Sequence, residues 1–107
     1  FTTNFIEYAQ IVKWPAGCSM GIHKDQARRS TSLVSVTNLN GDFEGGSHFV
    51  DDPDQKEKID ILPRTGKTIA FDGQKYLHGV REVTKGNRYT LAIWYTTDIA
   101  TSITNYL

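Results

Sequence analysis

Disulfides, long apolar runs and an excess of charge of either sign are all missing from this 107-residue sequence. Its one cysteine is Cys18, so no intrachain disulfide can form. A lone thiol fits a reducing compartment, and the expected location is the cytoplasm. No apolar run approaches the roughly 18 residues that cross a bilayer as a helix. No signal-peptide pattern opens the chain. Lysine and arginine total 12, aspartate and glutamate total 12, and the formal net charge is zero. That balance selects neither nucleic acid nor an anionic membrane surface, and neither is expected as a partner. Sustained helical periodicity is missing as well. Only the first few residues are compatible with the end of a helix, and the tail from Thr97 to Leu107 fits no single element.

What is present is frequent punctuation. Breaks fall at Pro15-Ala16-Gly17, Asn40-Gly41-Asp42, Gly45-Gly46, Asp52-Pro53-Asp54, Pro63-Arg64-Thr65-Gly66, Asp72-Gly73 and Lys85-Gly86-Asn87. Between them lie short runs rich in β-branched and aromatic residues. They predict strands over residues 8–14, 19–25, 32–39, 47–50, 58–62, 67–71, 76–80 and 87–96. So many short strands in so short a chain predict an all-β fold, a double-sheet jelly roll with few or no helices. One domain over residues 1–107 is expected. The polar stretch Asp51 to Lys58 predicts an exposed loop. Its carboxylates lack the alternating ligands, central glycine and distal glutamate of a calcium loop.

His23 and Asp25 are one residue apart. On a strand, alternate side chains face one side, so both can address the same interior point. His78, near the start of the strand after Asp72-Gly73, is the candidate third ligand. Two imidazoles and one carboxylate make a facial triad with open positions, the set expected of non-haem Fe(II) oxygenases. A His-x-Asp pair alone is weak evidence. Arg88, ten residues after His78, strengthens it. With Val83-Thr84-Lys85-Gly86 as the turn, Arg88 sits on the return strand, and Arg88, Thr90, Ala92 and Trp94 share one face. An inward guanidinium calls for an anion, and arginine holds carboxylates in bidentate fashion without losing its charge.

The run His78-Gly79-Val80-Arg81-Glu82-Val83-Thr84-Lys85-Gly86-Asn87-Arg88-Tyr89, continuing to Trp94, resembles the C-terminal motif of the prolyl 4-hydroxylase-like 2-oxoglutarate/Fe(II) dioxygenases. That motif has a histidine, then Val-x-x-Gly-x-Arg-Tyr and a tryptophan. Leu39-Asn40-Gly41-Asp42-Phe43-Glu44-Gly45-Gly46 resembles the family's Leu-Asn-x-x-Phe-x-Gly-Gly, and Pro63 to Phe71 its Pro-x-x-Gly-x-x-x-x-Phe strand. The resemblance covers roughly residues 10–96. It implies Fe(II) on His23, Asp25 and His78, the distal carboxylate of 2-oxoglutarate on Arg88, and O2 as oxidant, with ascorbate as a further candidate cofactor. Thr90 beside Arg88 is a co-substrate candidate from strand geometry. Two positions depart from the family. Trp14 and Asn38 stand where tyrosines commonly approach the co-substrate, and both still carry hydrogen-bond donors. The implied reaction is hydroxylation of a prolyl or other residue of a peptide or protein, with release of succinate and CO2. Asp25 favours hydroxylation over halogenation, because related halogenases replace this carboxylate with a small residue. Family members usually brace the major sheet with N-terminal helices. The expectation here is that these are absent or lie outside the sequence.

Other residues weigh less. His48 reads first as a surface or hydrogen-bonded histidine, with a place near the cavity as the alternative. Arg28 and Arg29 read as a solvated loop or as contacts for an acidic or peptide substrate. Cys18 reads as a small buried residue. Trp94 reads as packing beneath the site or as a co-substrate contact. Asp72 reads as a turn residue or as an orienter of His78. The competing functions are a catalytically idle jelly-roll binding domain, an oxygenase acting on a free small molecule, and a cupin-like metal enzyme without 2-oxoglutarate. Nucleic-acid demethylation is disfavoured, since Arg88-Tyr89-Thr90-Leu91 does not match the longer Arg-x-Asn-x-Thr-x-x-Arg pattern.

Overall fold

A computed structural model describes residues 3–26, 28–52, 54 and 58–103. Ten strands follow in chain order: β1 Phe5–Pro15, β2 Met20–His23, β3 Thr31–Asn38, β4 Glu44–Gly45, β5 His48–Asp51, β6 Ile59–Ile61, β7 Thr68–Phe71, β8 Leu77–Val80, β9 Val83–Lys85 and β10 Asn87–Thr96. A 3-10 turn, Ile99–Thr101, follows, and Asp98 caps it by accepting from the Ala100 backbone N–H. The strands form a major sheet in the order β1-β10-β3-β7, a minor sheet β2-β8-β5-β6 and a ribbon β4-β9. All pairings are antiparallel. The expected all-β double-sheet jelly roll is what forms.

Register follows the side-chain period of two. In the major sheet Trp14 pairs with Arg88 and Val12 with Thr90, Thr90 with Asn38 and Trp94 with Val34, and Val34 with Phe71. These residues share the face turned to the minor sheet. In the minor sheet His78 pairs with Val50 and His48 with Val80. Among the described residues, six buried hydrophobic residues (Val34, Phe49, Val50, Val80, Val83 and Ala92) are outnumbered by eight buried polar ones. The largest side chain fully hidden is an arginine, Arg88. An interior so polar is built around something other than apolar packing alone.

Five local expectations change. The chain is already a strand at Phe5, paired with Thr96, so no helix ends over residues 5–7; residues 1 and 2 lie outside the described ones. Strand β2 stops at His23, so Asp25 is not a strand residue. Val83–Lys85 is not merely a turn but a short strand pairing with Glu44 and Gly45. Glycine at position 45 makes this possible: its φ is +77°, and a Cβ there would collide with the Glu82 carbonyl. The tail holds a 3-10 turn at Ile99–Thr101, and residues 104–107 lie outside the described ones. Of the expected loop at 51–58, Asp51 closes β5, and residues 53 and 55–57 lie outside the described ones.

Candidate functional site

A cavity of about 170 Å³ opens between the two sheets. His23, Asp25, His78, Arg88, Thr90, Trp14, His48 and Trp94 all contribute to its wall.

At one end, ligand atoms of His23, Asp25 and His78 lie within 4.8 Å of one another. Asp25 Oδ1 is 2.9 Å from His78 Nε2 and 3.5 Å from His23 Nε2. Each imidazole is held from behind. His23 Nδ1 donates to the Gly21 carbonyl at 2.7 Å, and His78 Nδ1 donates to the Tyr76 carbonyl at 2.9 Å. Those bonds leave both Nε2 atoms directed at the carboxylate, the arrangement that outer hydrogen bonds impose on metal-binding histidines. Asp25 reaches this point from beyond the strand. Its backbone N–H donates to Gly73 O at 2.8 Å, and Trp94 Nε1 donates to Oδ2 at 3.1 Å. One carboxylate oxygen is thereby occupied and the other faces the histidines.

Electrostatics match this geometry. Burial alone would raise the Asp25 carboxyl. Hydrogen bonds from His78 and Trp94, with the charge of both histidines, hold it below the ordinary carboxylate range. Burial alone would lower His78. Hydrogen bonds to Asp25 and to the Tyr76 carbonyl outweigh that and raise it. Two nitrogen donors and one carboxylate oxygen on one side of an open cavity suit a divalent transition metal with free positions.

At the other end lies Arg88, 2% exposed. No carboxylate among the described residues pairs with it. Burial pushes its guanidinium down to about 10, which leaves it charged at neutral pH. Its Nε donates to Asn38 Oδ1 at 3.3 Å, and the guanidinium lies 5.4 Å from the Trp14 ring centre. Trp14 Nε1 donates to Thr90 Oγ1 at 3.4 Å. Trp14 and Asn38 therefore spend these groups on Arg88 and Thr90 themselves. An unpaired buried cation costs several kcal/mol unless an anion joins it.

The residues set aside in the sequence find definite places. His48 is not on the surface. It is 7% exposed, and both ring nitrogens lack a partner among the described residues. Each such buried unsatisfied group costs about 1–3 kcal/mol. Burial, then the positive charge of His78 and Arg88, push its pKa down to about 4. The inward parity of strand 47–50 opposite His78 was the signal that could have located it. Asp72 is a turn residue, its Oδ1 accepting from the Gln74 and Lys75 backbone N–H groups. Trp94 takes a role not foreseen: it bonds Asp25 and stacks on Tyr8 with ring centres 4.5 Å apart. Cys18 is half-buried, while Arg28 and Arg29 are exposed and outside the cavity wall. Gln10, which the sequence did not single out, lines the mouth of the cavity.

Comparison with known proteins places this geometry. The sequence profile of the 2OG-Fe(II) oxygenase superfamily matches residues 8–96. Prolyl 3-hydroxylase 1 of Gallus gallus is 39% identical over 66 residues, which is 60% of this chain and 9% of that protein. The chain thus spans about a tenth of the length of the curated relatives it matches. A 2OG-Fe(II) oxygenase family oxidoreductase from Burkholderia pseudomallei superposes with a TM-score of 0.83 at 23% identity, over 91% of this chain and 47% of its own. A prolyl-4-hydroxylase from Pseudomonas putida superposes at 0.72 with 21% identity, over 82% of this chain and 50% of its own. These structural likenesses show a shared fold.

Proposed function

The chain belongs to the 2OG-Fe(II) oxygenase superfamily, and from that membership we propose that it hydroxylates a prolyl or other residue of a peptide or protein, consuming 2-oxoglutarate and O2 and releasing succinate and CO2. One observation carries the proposal: a histidine-histidine-carboxylate cluster faces, across one cavity, a buried arginine without a carboxylate partner among the described residues. Its two ends suit a ligand with a metal-chelating head and a distal carboxylate.

In this reading His23 Nε2, Asp25 Oδ1 and His78 Nε2 hold Fe(II). When bound, the metal and its 2-oxo acid supply the oxidising chemistry. The protein supplies orientation. Trp94 keeps the carboxylate turned so that one oxygen serves the metal. The Gly21 and Tyr76 carbonyls fix the tautomers that expose both Nε2 atoms. Arg88 anchors the distal carboxylate from a buried position, where a charged bidentate contact is strong. Thr90 Oγ1 stands beside it. Trp14 and Asn38 keep the guanidinium aimed inward. The similarity to prolyl 3-hydroxylases supports a peptidyl substrate.

The test is succinate release from 2-oxoglutarate by the purified chain with Fe(II), with and without ascorbate, and with proline-containing peptides. Uncoupled turnover alone is expected to need Fe(II). Asp25→Ala should abolish it, and peptide products should gain one oxygen by mass. No Fe(II)-dependent consumption of 2-oxoglutarate, with or without peptide, would sink the proposal.

A further inference from the structure

His48 is a buried histidine whose two ring nitrogens meet no partner among the described residues. Its place along the cavity wall is defined from both sides. Two residues before it, Gly46 lies against Arg88: a Cβ there would come 3.0 Å from Arg88 Cδ. Two residues after it, Val50 pairs with His78. The His48 ring stacks on the His78 ring with centres 5.9 Å apart, and the edge of Phe71 covers it at 5.3 Å. His48 therefore stands along the wall that runs from the metal cluster to the arginine. It is not one of the groups whose ligand atoms converge on the cluster.

An apolar side chain would fill this place without stranding two polar atoms. A ligand that spans the cavity would remove the penalty. We propose that His48 donates a ring N–H hydrogen bond to the distal carboxylate of bound 2-oxoglutarate, beside Arg88. This rests on the functional reading above and adds a binding residue to it. Two features support it. A neutral imidazole carries one donor and one acceptor and can turn either nitrogen to the donor role. His48, on the minor sheet, lines the same cavity as Arg88 and Thr90 on the major sheet.

The experiment is calorimetric binding to the protein loaded with Mn(II) in place of Fe(II). The probes are 2-oxoglutarate and 2-oxobutanoate, which has the same chelating head but no distal carboxylate. His48→Leu is expected to weaken 2-oxoglutarate binding roughly 10- to 100-fold, the loss typical of a hydrogen bond to a charged group. Binding of 2-oxobutanoate and of Mn(II) should not change. His48→Gln, which keeps a donor, should recover part of the loss. The metal-free His48→Leu protein should melt no lower than the wild type, because an unsatisfied polar ring has gone. His48→Met carries the same expectations should the leucine variant fail to fold. The proposal is overturned if the apolar variant binds 2-oxoglutarate as tightly as the wild type. It is equally overturned if both 2-oxo acids or the metal are lost in parallel, which would place His48 at the metal end. Wild-type protein that binds no 2-oxoglutarate would overturn the functional reading itself, an outcome distinct from either of these.

Discussion

At the scale of single residues, Asp25 does two jobs with two oxygens. Trp94 holds Oδ2, and the histidines face Oδ1. In the metal-free protein the Asp25–His78 pair is an ion pair whose stabilising effect has a pH window. The Asp25 pKa is lowered in the fold, so its contribution is present above the unfolded aspartate pKa and is lost as pH falls through the lowered value. The His78 pKa is raised, so its contribution is full below the unfolded histidine pKa and is lost as pH rises through the raised value. Urea unfolding of metal-free protein across pH should show this plateau, and Asp25→Asn should flatten the alkaline loss. An unchanged profile in the variant would show that the pair contributes nothing. The residue types of this site were legible in the sequence, since His23-x-Asp25 and His78 stand out. The role of Trp94 was not, because its partner is 69 positions away.

At the scale of elements, the His23–Asp25–His78 cluster comes from strand ends rather than from strand alternation. The sequence predicts a strand through residue 25. In the structure β2 stops at His23, and its register with β8 shifts between Met20 and His23. Such irregularities recur beside functional sites, where they re-aim a side chain. Asp25 is then carried by the 72–73 turn, through its bond to Gly73 O. Glycine is needed there: a Cβ at 73 would run into the Asp25 carboxylate, with Cγ only 2.8 Å away. Gly73→Ala should therefore displace Asp25 and weaken metal binding about 10- to 100-fold, as loss of an orienting contact does. Titration with Mn(II) would read the change, and circular dichroism should report the same β-rich fold. Undiminished affinity would mean that Asp25 does not depend on this turn. Ribbon β4-β9 teaches the same lesson. Val83-Thr84-Lys85 reads as part of a turn locally, and becomes a strand because Glu44 and Gly45 come alongside.

At the scale of the whole molecule, the interior buries polar groups at a cost in stability. Arg88 and His48 are buried from opposite sheets with charge or polarity unmet inside the described protein. Replacing a buried unpaired cation by an apolar residue of similar length tends to be neutral or stabilising. Arg88→Met is thus expected to leave the metal-free melting temperature unchanged or raised. In the wild type with Mn(II), 2-oxoglutarate at 100 times its dissociation constant should add about 2.7 kcal/mol of stability. The variant should show almost none of that gain. Thermal melts with and without the co-substrate compare the two. A variant that melts far lower without ligand would mark Arg88 as a structural residue instead.

The sequence by itself determined the fold class and the family, and it named the residue types at both ends of the cavity. Short β-branched runs between glycine and proline breaks admit little but a two-sheet architecture, and His-x-Asp, His78 and Arg88 carry their chemistry in side-chain type and spacing. Only the tertiary structure decided which atoms meet. Trp94 finds Asp25, Trp14 finds Thr90, and His48 lies along the cavity wall between the His23–Asp25–His78 cluster and Arg88, because facing sheets bring together residues that no local period relates.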